Sequence, residues 1–323
     1  MRILARLGRA HRRQPVFQVA ALVALFVYGA VTIDGFSQEQ SIRSMLVLAA
    51  LLGLAAAGQT FVLLLGGLDL SVPGLIVLGA TVISELCGGR GWSFLPAFLV
   101  VLVLTGTVGA AVGWMSYRFQ VTPIIMTLAV SSLALGGVQV WINGHLTGSA
   151  PAFLSKMTAA DGTTFGVHIS PVVVVWLGFA VLVAIVLYRT PIGRRLYAAG
   201  ENPRAADLAL VNTQRIWTGV FCVSAMLSGI VGVLLAGFAG ADSTLGDPYL
   251  FQGLTVVIIG GTAFRGLRGD YTHTVIGAMI LVVVTTIMLA NGYDYADQQI
   301  FFGILILLVV AGYGRERKLR DRI

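Results

Sequence analysis

Hydroxyl and amide side chains stand inside long apolar runs of this chain, and their chemistry suits a neutral, hydroxyl-rich solute. One group, spaced by four, three and four residues from Ser132 through Gly136 and Gln139 to Asn143, shares a single face if the run is helical. Such groups exchange hydrogen bonds without carrying charge. The residues predicted to line a path for cargo are Gln59, Thr60, Thr127, Ser131, Ser132, Gln139 and Asn143. For any one of them, hydrogen bonding between helices is at least as good an interpretation.

The reactive groups that an enzyme needs do not occur in suitable patterns. Lys156 and Lys318 both lie outside any G-x-x-x-x-G-K-[ST] pattern, so the chain cannot build a phosphate-binding P-loop. Its four histidines show no H-E-x-x-H or His/Cys ligand spacing, and no G-x-S-x-G motif occurs. Cys87 and Cys222 lie in apolar segments and indicate neither a disulfide framework nor a metal site. The sequence therefore predicts a protein that is not itself an enzyme and that binds no metal or cofactor.

Charged side chains are nearly missing from the interiors of the apolar runs. Carriers driven by a proton or sodium gradient usually bury ionisable groups there, so a stand-alone secondary carrier for a polar solute is the weaker alternative. Glu85 lies near the end of one run. Asp69 lies between two runs, in GGLDLSVPG, where Asp69 or Ser71 is expected to satisfy free amides at the start of a helix.

The elements that hold these residues are predicted to be membrane-spanning helices. Apolar residues make up 57% of the 323 residues and charged residues 11%, against roughly 25% charge in an average soluble domain. We expect an all-α polytopic membrane protein with about ten transmembrane helices, one domain over residues 1–323 without room for a large soluble domain. The apolar runs are 16–33, 44–65, 72–88, 94–114, 123–143, 171–188, 216–239, 249–264, 271–290 and 298–313.

Two of these runs are irregular. The run 249–264 is short and is interrupted by Gly260 and Gly261, which indicates a tilted or partly unwound segment. The run 16–33 follows a basic segment, 1–15, as in a signal peptide, but its apolar stretch is longer than usual and no clear small-x-small site follows. We therefore expect it to remain as a span.

The formal net charge of +7 suggests a nucleic-acid partner until the basic residues are placed. If the N-terminus is cytoplasmic and every run crosses, only Arg43, Arg90 and Lys156 of the 21 lysines and arginines lie outside, and the other 18 lie inside. Lysine and arginine resist translocation, so this asymmetry predicts a multi-pass protein with cytoplasmic N- and C-termini, the latter in the tail 314–323. The basic residues indicate orientation, and no nucleic-acid partner is expected.

Two connections are longer than the others. The outer loop 143–170 is rich in Gly, Ser and Thr, and it is interpreted equally well as a lid or partner-facing element or as a plain surface loop. The inner segment 189–215 is expected to contain a short amphipathic helix, with Asn202 as N-cap and Pro203 at the first helical position. The helix formers of RAADLAL follow directly.

Four segments together resemble the permease subunits of bacterial ribose-type ABC sugar importers, over nearly the whole chain and in the same order. They are GGLDLSVPG (66–74), VTPIIMTLAV (121–130), GRRLYAAGENPRAADLALVN (193–212) and VVIIGGTAFRGLRGD (256–270). The chain departs from the commoner family pattern where AFRGLRGD follows GGT and where Pro73 follows Val72. The motif residues of this resemblance are Gly66, Gly67, Asp69, Ser71, Gly260, Gly261 and Thr262.

The resemblance implies a ribose-type ABC permease fold, in the bacterial inner membrane, that brings a neutral monosaccharide or polyol into the cytoplasm. It implies a second permease subunit in a homodimer or pseudo-dimer, a separate cytoplasmic ABC ATPase that binds ATP and Mg²⁺, and an extracytoplasmic sugar-binding protein. A chain without a P-loop needs such an external source of energy. The resemblance further implies that a coupling helix docks into the ATPase through Gly200, Glu201, Asn202, Pro203, Arg204, Ala205 and Ala206.

Overall fold

The computed structural model describes residues 16–261 and 269–315, with side chains as far as residue 308, and these residues are predominantly helical. The predicted all-α polytopic architecture is confirmed. Thr262, with the rest of 262–268, and the basic segments 1–15 and 316–323 lie outside the described residues. The helices of the described part are α1 (Val16–Thr32), α2 (Glu39–Leu64), α3 (Val72–Ser84), α4 (Phe94–Phe119), α5 (Pro123–Trp141), α6 (Ala152–Thr158), α7 (Pro171–Arg189), α8 (Pro191–Glu201), α9 (Pro203–Leu208), α10 (Thr213–Phe238), α11 (Asp247–Ile259), α12 (Tyr271–Ala290) and α13 (Tyr295–Arg315).

Seven helices within the described residues are long and apolar enough to cross a membrane. They are α2, α3 with its continuation to Gly89, α4, α5, α7, α10 and α12. Three shorter apolar helices, namely α1, α11 and the first part of α13, occupy the remaining predicted runs. Each apolar run therefore forms a helix, whereas ten membrane crossings stay a prediction. The expected shortness of the run 249–264 has a clear counterpart, because α11 ends at Ile259 and Gly261 follows with a φ of 84°.

Three helical elements differ from the expectations based on sequence. The outer loop contains α6, and the inner segment contains α8 ahead of the short helix that was predicted there. Pro191 at the first turn of α8 is a start signal that could have indicated this helix. The run 72–88 changes at its end from α3 into a five-residue π-helix, Glu85–Gly89.

The core is built around α2. Nearly all of its residues from Met45 to Leu64 are buried, because the helix is apolar or small on every face and packs against α7, α10, α11 and α12. On its other faces, α10 packs against α3 and α4. In contrast, α5 lies at the periphery, where only Thr127, Ser131 and Val138 are buried.

Glycines allow α3 and α10 to cross with their backbones in contact. A Cβ atom at Gly79 would overlap the carbonyl oxygen of Gly229, and one at Gly232 would overlap the carbonyl oxygen of Ile76. Small residues at a crossing permit this close approach, which maximises dispersion contacts where the surrounding lipid provides no hydrophobic driving force between helices. The crossing fixes the position of α3 against the core.

Hydrogen bonds between helix ends show which elements lie at each of the two ends of the bundle. At the α6 end, the end of α3 meets the segment that follows α5, through Glu85 and Thr147. At the α8–α9 end, Tyr117 at the end of α4 bonds to Asp207 of α9, and Tyr188 at the end of α7 bonds to the residue before α12. Which end faces the cytoplasm stays a prediction.

We expect Gly232→Ala to destabilise the protein, because the added Cβ overlaps backbone of α3. Overpacking of this kind costs on the order of 1–3 kcal/mol. The matched control is Gly219→Ala in the same helix, where a Cβ meets no atom within 4 Å and helix propensity improves by up to about 1 kcal/mol. Thermal unfolding of the purified protein in nanodiscs should show a lower midpoint for Gly232→Ala alone. Equal midpoints for the two variants would contradict the close crossing.

Candidate functional site

The α8–α9 segment consists of two short helices, the second of which is started by a side-chain cap. The Oδ1 atom of Asn202 accepts a hydrogen bond of 3.0 Å from the backbone N–H of Ala205, and Pro203 occupies the first turn of α9. Asn202 has extended backbone dihedrals, as an N-cap requires. The predicted N-cap and start of this helix are therefore confirmed.

Most of the predicted coupling residues are exposed at the turn between α8 and α9. Of these residues, Glu201, Asn202, Pro203, Arg204 and Ala205 are exposed, Gly200 is half-buried and Ala206 is buried beneath them.

Two leucines extend this surface, and reasoning from sequence missed them. Leu208 is 86% exposed and Leu210 is 94% exposed. Leu210 also has a φ of 61°, a left-handed backbone conformation that residues other than glycine and asparagine rarely adopt. A free apolar surface beside a charged one is a common feature of contacts between proteins.

Asp207 fastens α9 to the bundle. Its Oδ2 atom accepts a hydrogen bond of 2.9 Å from the hydroxyl of Tyr117, and its Oδ1 atom accepts one of 3.3 Å from the backbone N–H of Thr213. Hydrogen bonds from Thr213 and then from Tyr117 hold the pKa of Asp207 below its usual value, against the smaller effect of desolvation. The carboxylate therefore stays ionised at neutral pH and keeps both acceptors.

The GGLDLS motif closes α2 and leads into α3. Gly66, with a φ of 78°, follows the end of α2, and the N–H groups of Gly66 and Gly67 return to the carbonyls of Leu63 and Val62, as in a Schellman motif. This conformation is the physical reason for a glycine at position 66.

Asp69 lies buried between α2 and α3 and accepts three hydrogen bonds. Its Oδ1 atom receives the backbone N–H and the hydroxyl of Ser71, at 2.9 and 2.5 Å, and its Oδ2 atom receives the hydroxyl of Ser224 on α10, at 2.6 Å. Asp69 thus satisfies a free amide before α3, as predicted, while Ser71 makes no capping bond with its own side chain. The same carboxylate joins the start of α3 to α10.

The polar residues of α5 divide into two groups. Thr127 and Ser131 face α3, where their hydroxyl oxygens accept hydrogen bonds from the backbone N–H groups of Leu70 and Gly74, at 3.0 and 3.2 Å. These bonds match the interhelical alternative. Ser132 and Gln139 are exposed on another face of α5. The prediction that Asn143 shares this face is wrong, because α5 ends at Trp141 and Asn143 lies in the following turn with a φ of 47°.

The two candidates on α2 lie in the core. Thr60 is fully buried, and its Oγ1 atom lies 2.9 Å from that of Thr274 on α12. Gln59 is also buried, and its Oε1 atom has no hydrogen-bond partner within the described part of the chain. The structure therefore does not gather all seven candidates on one surface, and their contact with cargo stays a prediction.

Glu85 anchors the long loop at the α6 end. Its Oε1 atom accepts the backbone N–H groups of Thr147 and Gly148, at 2.5 and 3.2 Å, and its Oε2 atom accepts the hydroxyl of Thr147 at 2.8 Å. Gly88 and Gly148 permit the close approach, since a Cβ at either position would overlap opposing backbone. The loop 143–170 is thus fastened to α3 and is not a plain surface loop at this point.

The bundle of long apolar helices is that of a polytopic helical membrane protein. The chain belongs to the family described as the permease component of the branched-chain amino acid transport system, whose model matches residues 41–310. A permease component is a transport protein and not a catalytic enzyme.

Similar proteins of known role support this assignment and confirm the resemblance to ribose-type permeases. The chain is 28% identical to the ribose import permease protein of Bacillus subtilis over 291 residues, which cover 90% of this chain and 89% of the relative. It is 28% identical to the fructose import permease protein of Rhizobium meliloti, over 91% of this chain and 83% of the relative. It is 26% identical to the D-allose transport system permease protein of Escherichia coli, over 93% of this chain and 90% of the relative. No solved structure matches the chain.

We expect Glu85→Ala to release the loop from α3. Hydrogen bonds to a charged group contribute about 1.5–3 kcal/mol, so exchange of the amides of Thr147 and Gly148 should accelerate about tenfold or more. Hydrogen–deuterium exchange with mass spectrometry measures this change. The matched control is Asp242→Asn, which alters an exposed carboxylate that accepts the N–H of Thr244. Unchanged exchange at 147–148 in Glu85→Ala would show that the carboxylate does not hold the loop.

Proposed function

We propose that the protein is the permease subunit of an ATP-driven importer that carries a neutral monosaccharide or polyol into the cytoplasm. The observation that carries this proposal is the similarity, over about nine tenths of the chain, to permeases named for ribose, fructose and allose. The near absence of charged side chains from the spans supports a neutral cargo. The family description mentions branched-chain amino acids, so leucine is the appropriate competitor in a test.

The energy for transport comes, in this proposal, from a separate cytoplasmic ABC ATPase that binds ATP and Mg²⁺. The exposed surface from Glu201 to Ala205, extended by Leu208 and Leu210, is the site where this ATPase docks. Closure of the ATPase pair on ATP would move the α8–α9 segment and shift the permease between outward-open and inward-open states. In this proposal the α8–α9 end faces the cytoplasm, as the distribution of lysine and arginine predicts. Both termini are proposed to be cytoplasmic for the same reason.

A second permease subunit completes the proposed cargo path. The face of α5 that carries Ser132 and Gln139 is exposed in a single subunit, although it lies in an apolar helix, and Asn143 is exposed in the turn that follows. In a homodimer, two such faces lining one path would offer amide and hydroxyl groups to a sugar. The unpartnered Oε1 atom of Gln59 provides a further acceptor if the helices around α2 separate during transport.

An extracytoplasmic sugar-binding protein would deliver the cargo at the α6 end. There the loop 143–170 is held by Glu85, and α6 packs against α10, with Leu154 in contact with Gly237. An anchored loop presents a defined surface to a partner, at a lower entropic cost than a free one.

The complex of permease and ATPase in nanodiscs should hydrolyse ATP severalfold faster when its binding protein and one sugar are added. A panel of pentoses, hexoses and polyols, with leucine as the competitor, identifies the cargo. The physical reason is that only the loaded binding protein stabilises the state in which the ATPase closes. Stimulation by leucine and by no sugar would overturn the cargo class. Uptake by this chain alone on an ion gradient would instead establish a secondary carrier.

Arg204→Glu and Leu208→Ser should each reduce sugar uptake about tenfold or more, because interface residues that are buried on docking commonly contribute more than 1 kcal/mol. Both side chains are exposed in the free chain, so thermal unfolding of the purified permease should not change. The control Asp34→Lys reverses an exposed charge in the turn between α1 and α2, outside both proposed docking surfaces. Co-purification of the ATPase should fall in the two test variants and persist in the control. Normal uptake in both test variants would contradict the docking assignment.

A further inference from the structure

Hydrogen bonds connect the exposed α8–α9 segment to the residues that precede α12. The hydroxyl of Tyr197 on α8 donates to the carbonyl oxygen of Gly269 at 2.8 Å. Burial and the neighbouring Asp270 carboxylate raise the pKa of Tyr197 to about 12, so its hydroxyl stays protonated and remains a donor. Leu196, on the same helix, is buried in the bundle. A displacement of α8 therefore acts directly on the segment before α12.

Asp270 fixes the start of α12 and ties it to α7. Its carboxylate accepts the backbone N–H of His273 at 2.9 Å, the hydroxyl of Thr272 at 2.5 Å and the hydroxyl of Tyr188, and His273 Nδ1 lies 2.7 Å from the same group. Burial raises the pKa of Asp270, but the hydrogen bonds from His273, Thr272 and Tyr188 outweigh this effect and hold the pKa well below its usual range. Asp270 is therefore an ionised N-cap that also holds the end of α7.

Tyr271 continues the connection into the middle of the core. Its side chain is fully buried, and its hydroxyl donates to the carbonyl oxygen of Gly53 on α2 at 2.7 Å while it accepts the indole N–H of Trp176 on α7 at 3.0 Å. The absence of a side chain at Gly53 leaves room for the indole ring, since a Cβ there would overlap it. Three helices thus meet at one hydroxyl group.

A second hydrogen bond joins α2 and α12, so that a movement of one helix acts on the other. One turn after Tyr271, Thr274 is paired with Thr60 on α2. Neither α2 nor α12 has an exposed polar surface at this level where water could replace these partners, since Tyr271, Thr274 and Thr60 are all fully buried. Breaking the bonds without replacement would leave buried polar groups unpaired, at a cost of about 1–3 kcal/mol for each group.

We propose that Asp270 and Tyr271 are positioning residues that transmit movement of the α8–α9 segment to α2 and α12. This inference rests on the proposed function, because the ATPase is the source of the movement. The connection runs from Tyr197 through Gly269 and Asp270 to Tyr271, and from there to the carbonyl of Gly53. Through these contacts the α8–α9 surface acts on α2, the helix at the centre of the core.

One test uses the permease alone, so that it does not depend on the cargo or the ATPase. Tyr197→Phe removes only the hydroxyl that reaches Gly269. If the connection transmits movement, hydrogen–deuterium exchange in nanodiscs should accelerate at residues 50–57 of α2 as well as in α8. The expected acceleration is about fivefold or more, which corresponds to the loss of one hydrogen bond. Tyr28→Phe, on the half-exposed face of α1, is the matched control. Acceleration confined to α8 would overturn the proposal.

A second test measures the number of sugar molecules transported for each ATP hydrolysed in the complete complex. Tyr197→Phe and Tyr271→Phe should each lower this ratio about fivefold or more, whereas Tyr28→Phe should match the wild type. Two hydroxyls on one connection are not independent, so the double variant should fall no further than the worse single variant. A ratio within about twofold of wild type, or additive losses in the double variant, would contradict transmission through Tyr271. If the wild type shows no coupled transport, the proposed function fails while the exchange test still decides the connection.

Discussion

Amides in a membrane-embedded chain must find their partners inside the protein, and at the break between α2 and α3 these partners come from neighbouring helices. The Gly66 cap closes α2, and the amides that open α3 bond to Asp69, Thr127 and Ser131. Asp69 is bound in turn by Ser224 of α10. The hydrogen bonds made by the amides and by Asp69 between α2 and α3 therefore attach both α5 and α10 to the start of α3. The arrangement of the central helices follows from these few bonds.

Features with a local cause could be predicted from the sequence. The cap of Asn202 on Ala205 and the hydrogen bond that the amide of Ser71 donates to Asp69 join residues three and two positions apart, so a short segment contains each whole interaction. The interruption at Gly260 and Gly261 is also local, because these residues weaken a helix wherever they occur. The apolar runs locate the helices for a similar reason, since each run must be buried in lipid or protein along its length.

Features that join distant segments could not be predicted in this way. Tyr271 reaches Gly53 across 218 residues of sequence, and nothing in either segment identifies the other. The polar stripe of α5 illustrates the same limit. Its spacing correctly indicates a helix, but Thr127 and Ser131 face α3 while Ser132 and Gln139 do not, and this division depends on where α3 lies. The exposure of Leu208 and Leu210 was missed because an isolated apolar residue in a short connection carries no periodic signal.

The two anchors between α3 and the α5 region have a mechanical consequence. Ser131 of α5 binds the N-terminus of α3, and Glu85 at the other end of α3 binds the segment after α5. The two helices are therefore joined at both ends of α3. Neither can slide along its own axis without breaking a bond. A movement of α5 therefore pulls on α3, and through it on the backbone contact that α3 makes with α10 at Gly79 and Gly232.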